Sequence, residues 1–127
     1  MVEPSWEGIT AEAFKNRSKY LELRHDFENK VIDDLKTNKG QAKIQMTGVF
    51  SLDSPDMKEV AEYVLKKTKE QGFFSRVIRI EESHSHGGKY LSTYFQVSLK
   101  PFPERMVVYS KERWGAPENI SPDVLME

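Results

Sequence analysis

The stretch SPDMKEVAEYVLKKTKEQG, from Ser54 to Gly72, constrains the fold most strongly, because its apolar residues recur at helical spacing. Ser54 is placed to cap the first free amides, and Gly72 supplies a residue that tolerates the left-handed end of a helix. The segment therefore predicts a helix with one buried face. The predicted apolar stripe consists of Met57, Val60, Ala61, Val64, Leu65 and Thr68.

A longer helix is predicted before it, from an N-cap at Thr10 to about Lys36. One face is apolar and the other is charged, which is typical of a helix packed against a core. The apolar row is thin near Arg24, so a break at that point stays open. The row consists of Tyr20, Leu23, Phe27, Val31 and Leu35.

Three segments alternate between apolar and polar residues and are predicted as β-strands. They span residues 41–52, 73–82 and 89–100, and a fourth, shorter edge strand is predicted within 105–110. Residues 83–88, SHSHGG, separate the second strand from the third and are typical of a hairpin turn.

These elements predict an α+β fold in one domain, in the order α-β-α-β-β with a further edge strand. A strand–helix–strand unit leaves its two strands parallel, and the hairpin adds an antiparallel neighbour, so a mixed sheet is expected. Both helices should cover one face of that sheet. Residues 10–113 form the predicted domain, residues 1–9 an extended N-terminal arm, and residues 114–127 an extended C-terminal tail.

Composition narrows the class of protein. The 127 residues include no cysteine, which excludes disulfides and thiolate zinc sites, and the net charge is only −1. No apolar run is long enough to cross a bilayer. We expect a soluble intracellular protein that does not bind membranes and does not wrap nucleic acid by bulk charge.

The sheet face opposite the helices is the first candidate site. Strand alternation predicts that Ile44, Met46, Phe50, Ile78, Ile80, Phe95, Val97 and Leu99 point into the core. Aromatic, basic and amide side chains are then left on an open face, which suits stacking bases or a protein partner. Ordinary strand composition explains the same pattern. The candidate binding residues are Lys43, Arg79, Tyr90, Tyr94 and Gln96, with Arg76 and Lys66 in support.

The predicted hairpin turn is the second candidate site. His84 and His86 are two residues apart, and Glu81 and Glu82 precede them, so the four side chains are a conceivable metal-binding set. No third ligand lies at a recognisable spacing, and solvent-exposed loop histidines explain the pattern as well. No metal and no other cofactor is therefore predicted.

These features favour a small non-enzymatic binding protein that acts through protein–protein contacts, in a regulatory or assembly role. Trp6 and Trp114, in the two terminal arms, are suited to ordering on a partner or on a second copy of the chain. Two alternatives stay open. One is a module that binds single-stranded nucleic acid on the open sheet face, and the other is a metal-dependent enzyme at the histidine hairpin.

Overall fold

The computed structural model describes the backbone of residues 11–83, 89–103, 106–109, 117–120 and 122–127, and the side chains of residues 17–82, 89–103 and 122–127. The predicted α+β domain and its order of elements are confirmed. The elements are α1 (Ala11–Thr37), β1 (Gln41–Gln45), a 3-10 helix (Gly48–Phe50), α2 (Pro55–Glu70), β2 (Phe74–Ser83), β3 (Lys89–Ser98), β4 (Met106–Tyr109), β5 (Pro117–Ile120) and β6 (Asp123–Met126).

Helix α2 forms where its sequence predicts it. The Ser54 hydroxyl accepts a hydrogen bond from the backbone amide of Met57 at 3.4 Å, and Pro55 occupies the first turn, where no N–H is needed. Gly72 ends the segment with a φ of +91°, in the left-handed region. The predicted stripe lies against the sheet, with Met57, Val60, Ala61, Val64 and Leu65 all buried.

Helix α1 runs without interruption past Arg24, so the break that the sequence left open does not occur. Tyr20, Phe27 and Val31 are buried in the core. The Arg24 guanidinium lies 4.5 Å from the centre of the Tyr63 ring on α2, which ties the two helices together. In the described part of the chain, neither helix carries an apolar stretch long enough to cross a membrane.

The main sheet has the order β1-β3-β2-β6, and every neighbouring pair in it is antiparallel. The expected mixed sheet is therefore wrong. Strands β1 and β2 do run parallel, as a strand–helix–strand unit requires, but β3 lies between them and pairs antiparallel with both. Strands β4 and β5 form a separate two-stranded antiparallel ribbon.

The register of β2 corrects the predicted core. Residues that pair across an antiparallel sheet share a face. Val77 pairs with Phe95 on the side covered by the helices, which we call the helix side, and Ile78 pairs with Tyr94 on the opposite side, which we call the outer face. Ile80 follows Ile78 on the outer face, so neither isoleucine lies in the helix-side core.

Two further predictions, one of a core residue and one of a strand length, are wrong near strand ends. Leu99 follows β3 and is 58% exposed, although it still approaches Gly40 closely. Gly40 has a φ of +90°, which favours glycine in the turn between α1 and β1. The predicted first strand was also too long, because β1 ends at Gln45 and the 3-10 helix begins three residues later.

Strand β1 is an edge strand, and α1 supplies a hydrogen-bond acceptor to its unpaired side. The Asp34 carboxylate accepts a hydrogen bond from the backbone amide of Lys43 at 2.8 Å, and a second from the Asn38 side chain at 3.0 Å. An unpaired edge amide is therefore satisfied within the chain. At the opposite edge, β6 pairs with β2 and places Met126 against the core, within the segment that the sequence assigned to an extended tail.

Candidate functional site

Three predicted site residues lie side by side across the outer face. Gln96 on β3 pairs with Lys43 on β1 and with Arg76 on β2, so the three form one row across the sheet. Tyr94 lies in the next row, opposite Gln45 and Ile78. The sequence correctly predicted that Lys43, Tyr94 and Gln96 share a face.

This face is not open, contrary to the sequence prediction. Its central side chains are almost completely shielded from solvent, and they form a second buried patch on the side of the sheet away from the helices. The patch consists of Arg76, Ile78, Ile80, Ser92, Gln96 and Ser98.

Arg76 is the charged member of the buried patch. Its side chain is only 6% exposed, its Nε donates a hydrogen bond of 2.8 Å to Oε1 of Gln96, and the Phe102 ring lies 4.3 Å from its guanidinium carbon. The buried Nη2 atom has no hydrogen-bond partner. Burial lowers the pKa of Arg76, and the nearby negative charge of Glu127 partly opposes this effect.

Tyr94 is held between a cation and a carboxylate. The Lys43 ammonium lies 4.5 Å from the centre of its ring, and its hydroxyl donates a hydrogen bond of 2.9 Å to Glu82. Ser92 donates to the other Glu82 oxygen at 2.8 Å. Burial, together with the hydrogen bond to Glu82 and its negative charge, raises the pKa of Tyr94 from 10.0 to about 12.

Burial is the largest cause of the raised pKa of Tyr94 and stays when Glu82 is replaced with glutamine, but the amide carries no negative charge, so the pKa is expected to fall below about 12 and to stay above 10. In the wild-type protein, the Tyr94 hydroxyl ionises near pH 10 when the chain is unfolded and near pH 12 when it is folded. The stability contributed by neutral Tyr94 is therefore complete below pH 10 and is lost between about pH 10 and 12. Carbon-13 NMR of the tyrosine ring measures this pKa. E81Q is the matched control, because Glu81 lies on the helix side, and an unchanged Tyr94 pKa in E82Q would refute the assignment.

A polar cleft of about 580 Å³ opens beside this row, where the start of β1 meets the connection that leaves β3. We call it the β1 cleft. Two lysines, Lys43 and Lys100, contribute its positive charges. The lining residues are Asp34, Asn38, Gln41, Ala42, Lys43, Gln96, Val97, Ser98, Lys100, Pro101, Phe102 and Pro103.

Asp34 is the one acidic residue that lines the β1 cleft among the described residues. Both of its carboxylate oxygens already accept hydrogen bonds, one from the Lys43 amide and one from Asn38. The bond from Lys43 ties α1 to β1, and the negative charge of Asp34 offsets one of the two lysine charges at the cleft. Two lysines at the cleft and a buried guanidinium behind its wall leave the local charge positive.

The remaining predicted binding residues lie apart from this cleft. Arg79 is on the helix side of β2, where it lines a different pocket of about 340 Å³ that also includes Asp53. Its placement with Tyr94 on one face is wrong, because the face of β2 that carries Arg79 is the face that carries Val77. Lys66 is exposed on α2, on the other side of the sheet, and Tyr90 is half exposed further along the outer face.

The conceivable metal-binding set at the hairpin is not assembled among the described residues. Glu81 forms a salt bridge of 3.2 Å with Lys89, whereas Glu82 projects to the opposite face and binds Tyr94 and Ser92. His84 and His86 lie outside the described residues. Within the part of the chain that is described, no three acidic or histidine side chains cluster as metal ligands.

Sequence reasoning missed Lys100 and Phe102. Both follow the last residue of β3 and stand beside Pro101 and Pro103, which the sequence marked only as the end of a strand. The available signal was the Pro-Phe-Pro segment that follows Lys100. Its prolines restrict the backbone, and this places the Phe102 ring and the Lys100 ammonium close to the end of the strand.

Comparisons with protein-family models, with curated proteins and with solved structures found no match to this chain. The function must therefore be argued from the geometry of the site.

Proposed function

We propose that this is a small non-enzymatic binding protein that holds an acidic segment of a partner protein in the β1 cleft. The observation that carries the proposal is the charge of the cleft, whose lining has two lysines, Lys43 and Lys100, against one acidic residue, Asp34. A cleft with a net positive charge favours a ligand of opposite charge.

The shape of the site supports a peptide ligand. The cleft combines polar side chains with Phe102 and two prolines, and binding sites typically join an apolar wall to a few placed polar groups. Its volume of about 580 Å³ lies in the range of about 300–1,000 Å³ that is common for ligand pockets. A few side chains of an extended segment fit a space of this size.

Single-stranded nucleic acid is the alternative ligand, since phosphates also seek cations. Base stacking needs accessible ring faces, however. One face of the Tyr94 ring is taken by Lys43, and the Phe102 ring lies over Arg76. The buried outer face also offers less surface for stacking than an open sheet. These contacts favour the acidic peptide.

The test measures binding of fluorescein-labelled hexaglutamate by anisotropy at low salt. Wild type is expected to bind saturably, and the double variant K43A/K100A is expected to bind about tenfold more weakly, since each charge contributes roughly 0.5–1 kcal/mol. Added salt should weaken the wild-type complex, because exposed charges are screened.

The double variant K58A/K69A is the matched control. It removes the same charge from exposed positions on α2 and should bind like wild type. Wild type that fails to bind hexaglutamate at low salt would refute the proposal. Tighter binding of oligothymidylate than of hexaglutamate would transfer support to the nucleic-acid alternative.

A further inference from the structure

Arg76 is an unusual residue for a structural position, because its charge is buried and, among the described residues, forms no salt bridge, although the negative charge of Glu127 acts on it. Its Nε donates a hydrogen bond to Gln96, its Nη2 has no hydrogen-bond partner, and the salt bridges of the described residues do not include it. A buried charge that is incompletely hydrogen-bonded destabilises the folded state. The local structure does not require such a group, since Ile78, two residues along on the same face, is apolar and fully buried.

Arg76 lies directly behind the wall of the β1 cleft. The two side chains that contact its guanidinium, those of Gln96 and Phe102, are both among the residues that line the cleft. Phe102 belongs to a connection that is neither helix nor strand, so its ring is not fixed by backbone pairing. Phe102 and Gln96 therefore stand between the guanidinium and the space of the cleft.

We propose that Arg76 is a specificity-determining residue of the β1 cleft, which donates hydrogen bonds from its guanidinium to a carboxylate of the acidic segment when Phe102 turns aside. The inference rests on the proposed function and names the group that the cleft recognises. A guanidinium presents paired N–H donors that match the two oxygens of a carboxylate, whereas an ammonium acts as a point charge. Lys43 and Lys100 attract the acidic segment by their charge, and Arg76 recognises the geometry of its carboxylate.

The key experiment compares stability and binding in R76M. Methionine fills a similar volume without a charge, so the melting temperature is expected to stay equal to that of wild type or to rise. Hexaglutamate binding is expected to weaken by roughly thirtyfold, because a buried charged pair is lost. R76K keeps the positive charge but loses the paired N–H donors of the guanidinium, so it should also bind more weakly than wild type.

R79M is the matched control. It removes an arginine three positions along the same strand, on the helix side and exposed, and its binding should equal that of wild type. A structural role for Arg76 predicts a different result, namely a lower melting temperature in R76M with unchanged affinity in the fraction that stays folded. That result would overturn the inference.

NMR of wild-type protein labelled with ¹⁵N-arginine gives a test that does not depend on a variant. The side-chain signals of Arg76 are expected to shift on titration with hexaglutamate, while those of Arg79 stay in place. Saturable binding without any change at Arg76 would refute the inference and leave the proposed function intact. Absence of all binding would instead refute both.

Discussion

Replacing Phe27 with alanine is expected to lower the free energy of unfolding by about 3–5 kcal/mol, the range found for removing a buried aromatic side chain. Phe27 is fully buried, and its ring packs edge-to-face against Phe50 at 5.2 Å and against Phe95 at 5.1 Å. It therefore joins α1 to the 3-10 helix and to the centre of β3. Urea denaturation followed by circular dichroism measures the loss.

Leu21→Ala provides the control for this prediction on the same helix. Leu21 is 42% exposed, so its truncation should lower the free energy of unfolding by less than about 1 kcal/mol. Small domains are stable by only about 5–15 kcal/mol, and F27A should accordingly unfold at much lower urea concentrations. Equal losses in the two variants would contradict the central place of Phe27 in the core.

Ile78→Ala is expected to lower the free energy of unfolding by about 2–4 kcal/mol, although Ile78 faces away from both helices. Its side chain is fully buried in the outer patch, where a truncation leaves a cavity. The same urea experiment measures the loss. Leu91→Ala is the control, because Leu91 is an apolar residue of β3 that is 62% exposed, and an effect of I78A no larger than that of L91A would refute burial of the outer face.

The helices could be predicted from the sequence because their signals are local. Ser54 and Gly72 mark the two ends of α2, and its stripe has one period and one face. The position of β3 between β1 and β2 could not be predicted. The order of elements along the chain indicates that β1 and β2 are parallel, but it does not say whether another strand is inserted between them. The mixed sheet was wrong for this reason.

The failure on β2 has a physical cause. A strand with one wet face alternates cleanly, whereas a strand buried on both faces carries apolar residues in both sets. In β2, Val77 faces the helix side, and Ile78 and Ile80 face the outer side. The larger number of apolar residues on the outer side led to the wrong prediction that this side faces the helices. Arg79 was misplaced by the same error, while the residues on β1 and β3 were assigned correctly.

The candidate site was only partly within reach of the sequence. Lys43, Gln96 and Arg76 were identified one at a time, but their alignment in one row depends on the register of three strands. Lys100 and Phe102 were missed because they lie in the irregular connection after β3. Hydrophobic periodicity identifies helices and strands, and it does not predict where such a connection places its side chains. The missing hydrogen bond at Arg76 is visible only in three dimensions.

The hydrogen bond from the Lys43 amide to Asp34 limits how a partner can approach. A peptide that adds a strand to a sheet needs free backbone donors and acceptors along the edge. Here a carboxylate of the protein itself occupies that donor, next to the cleft. An added strand would find no free donor at Lys43, so strand addition to the edge of β1 is disfavoured at this position.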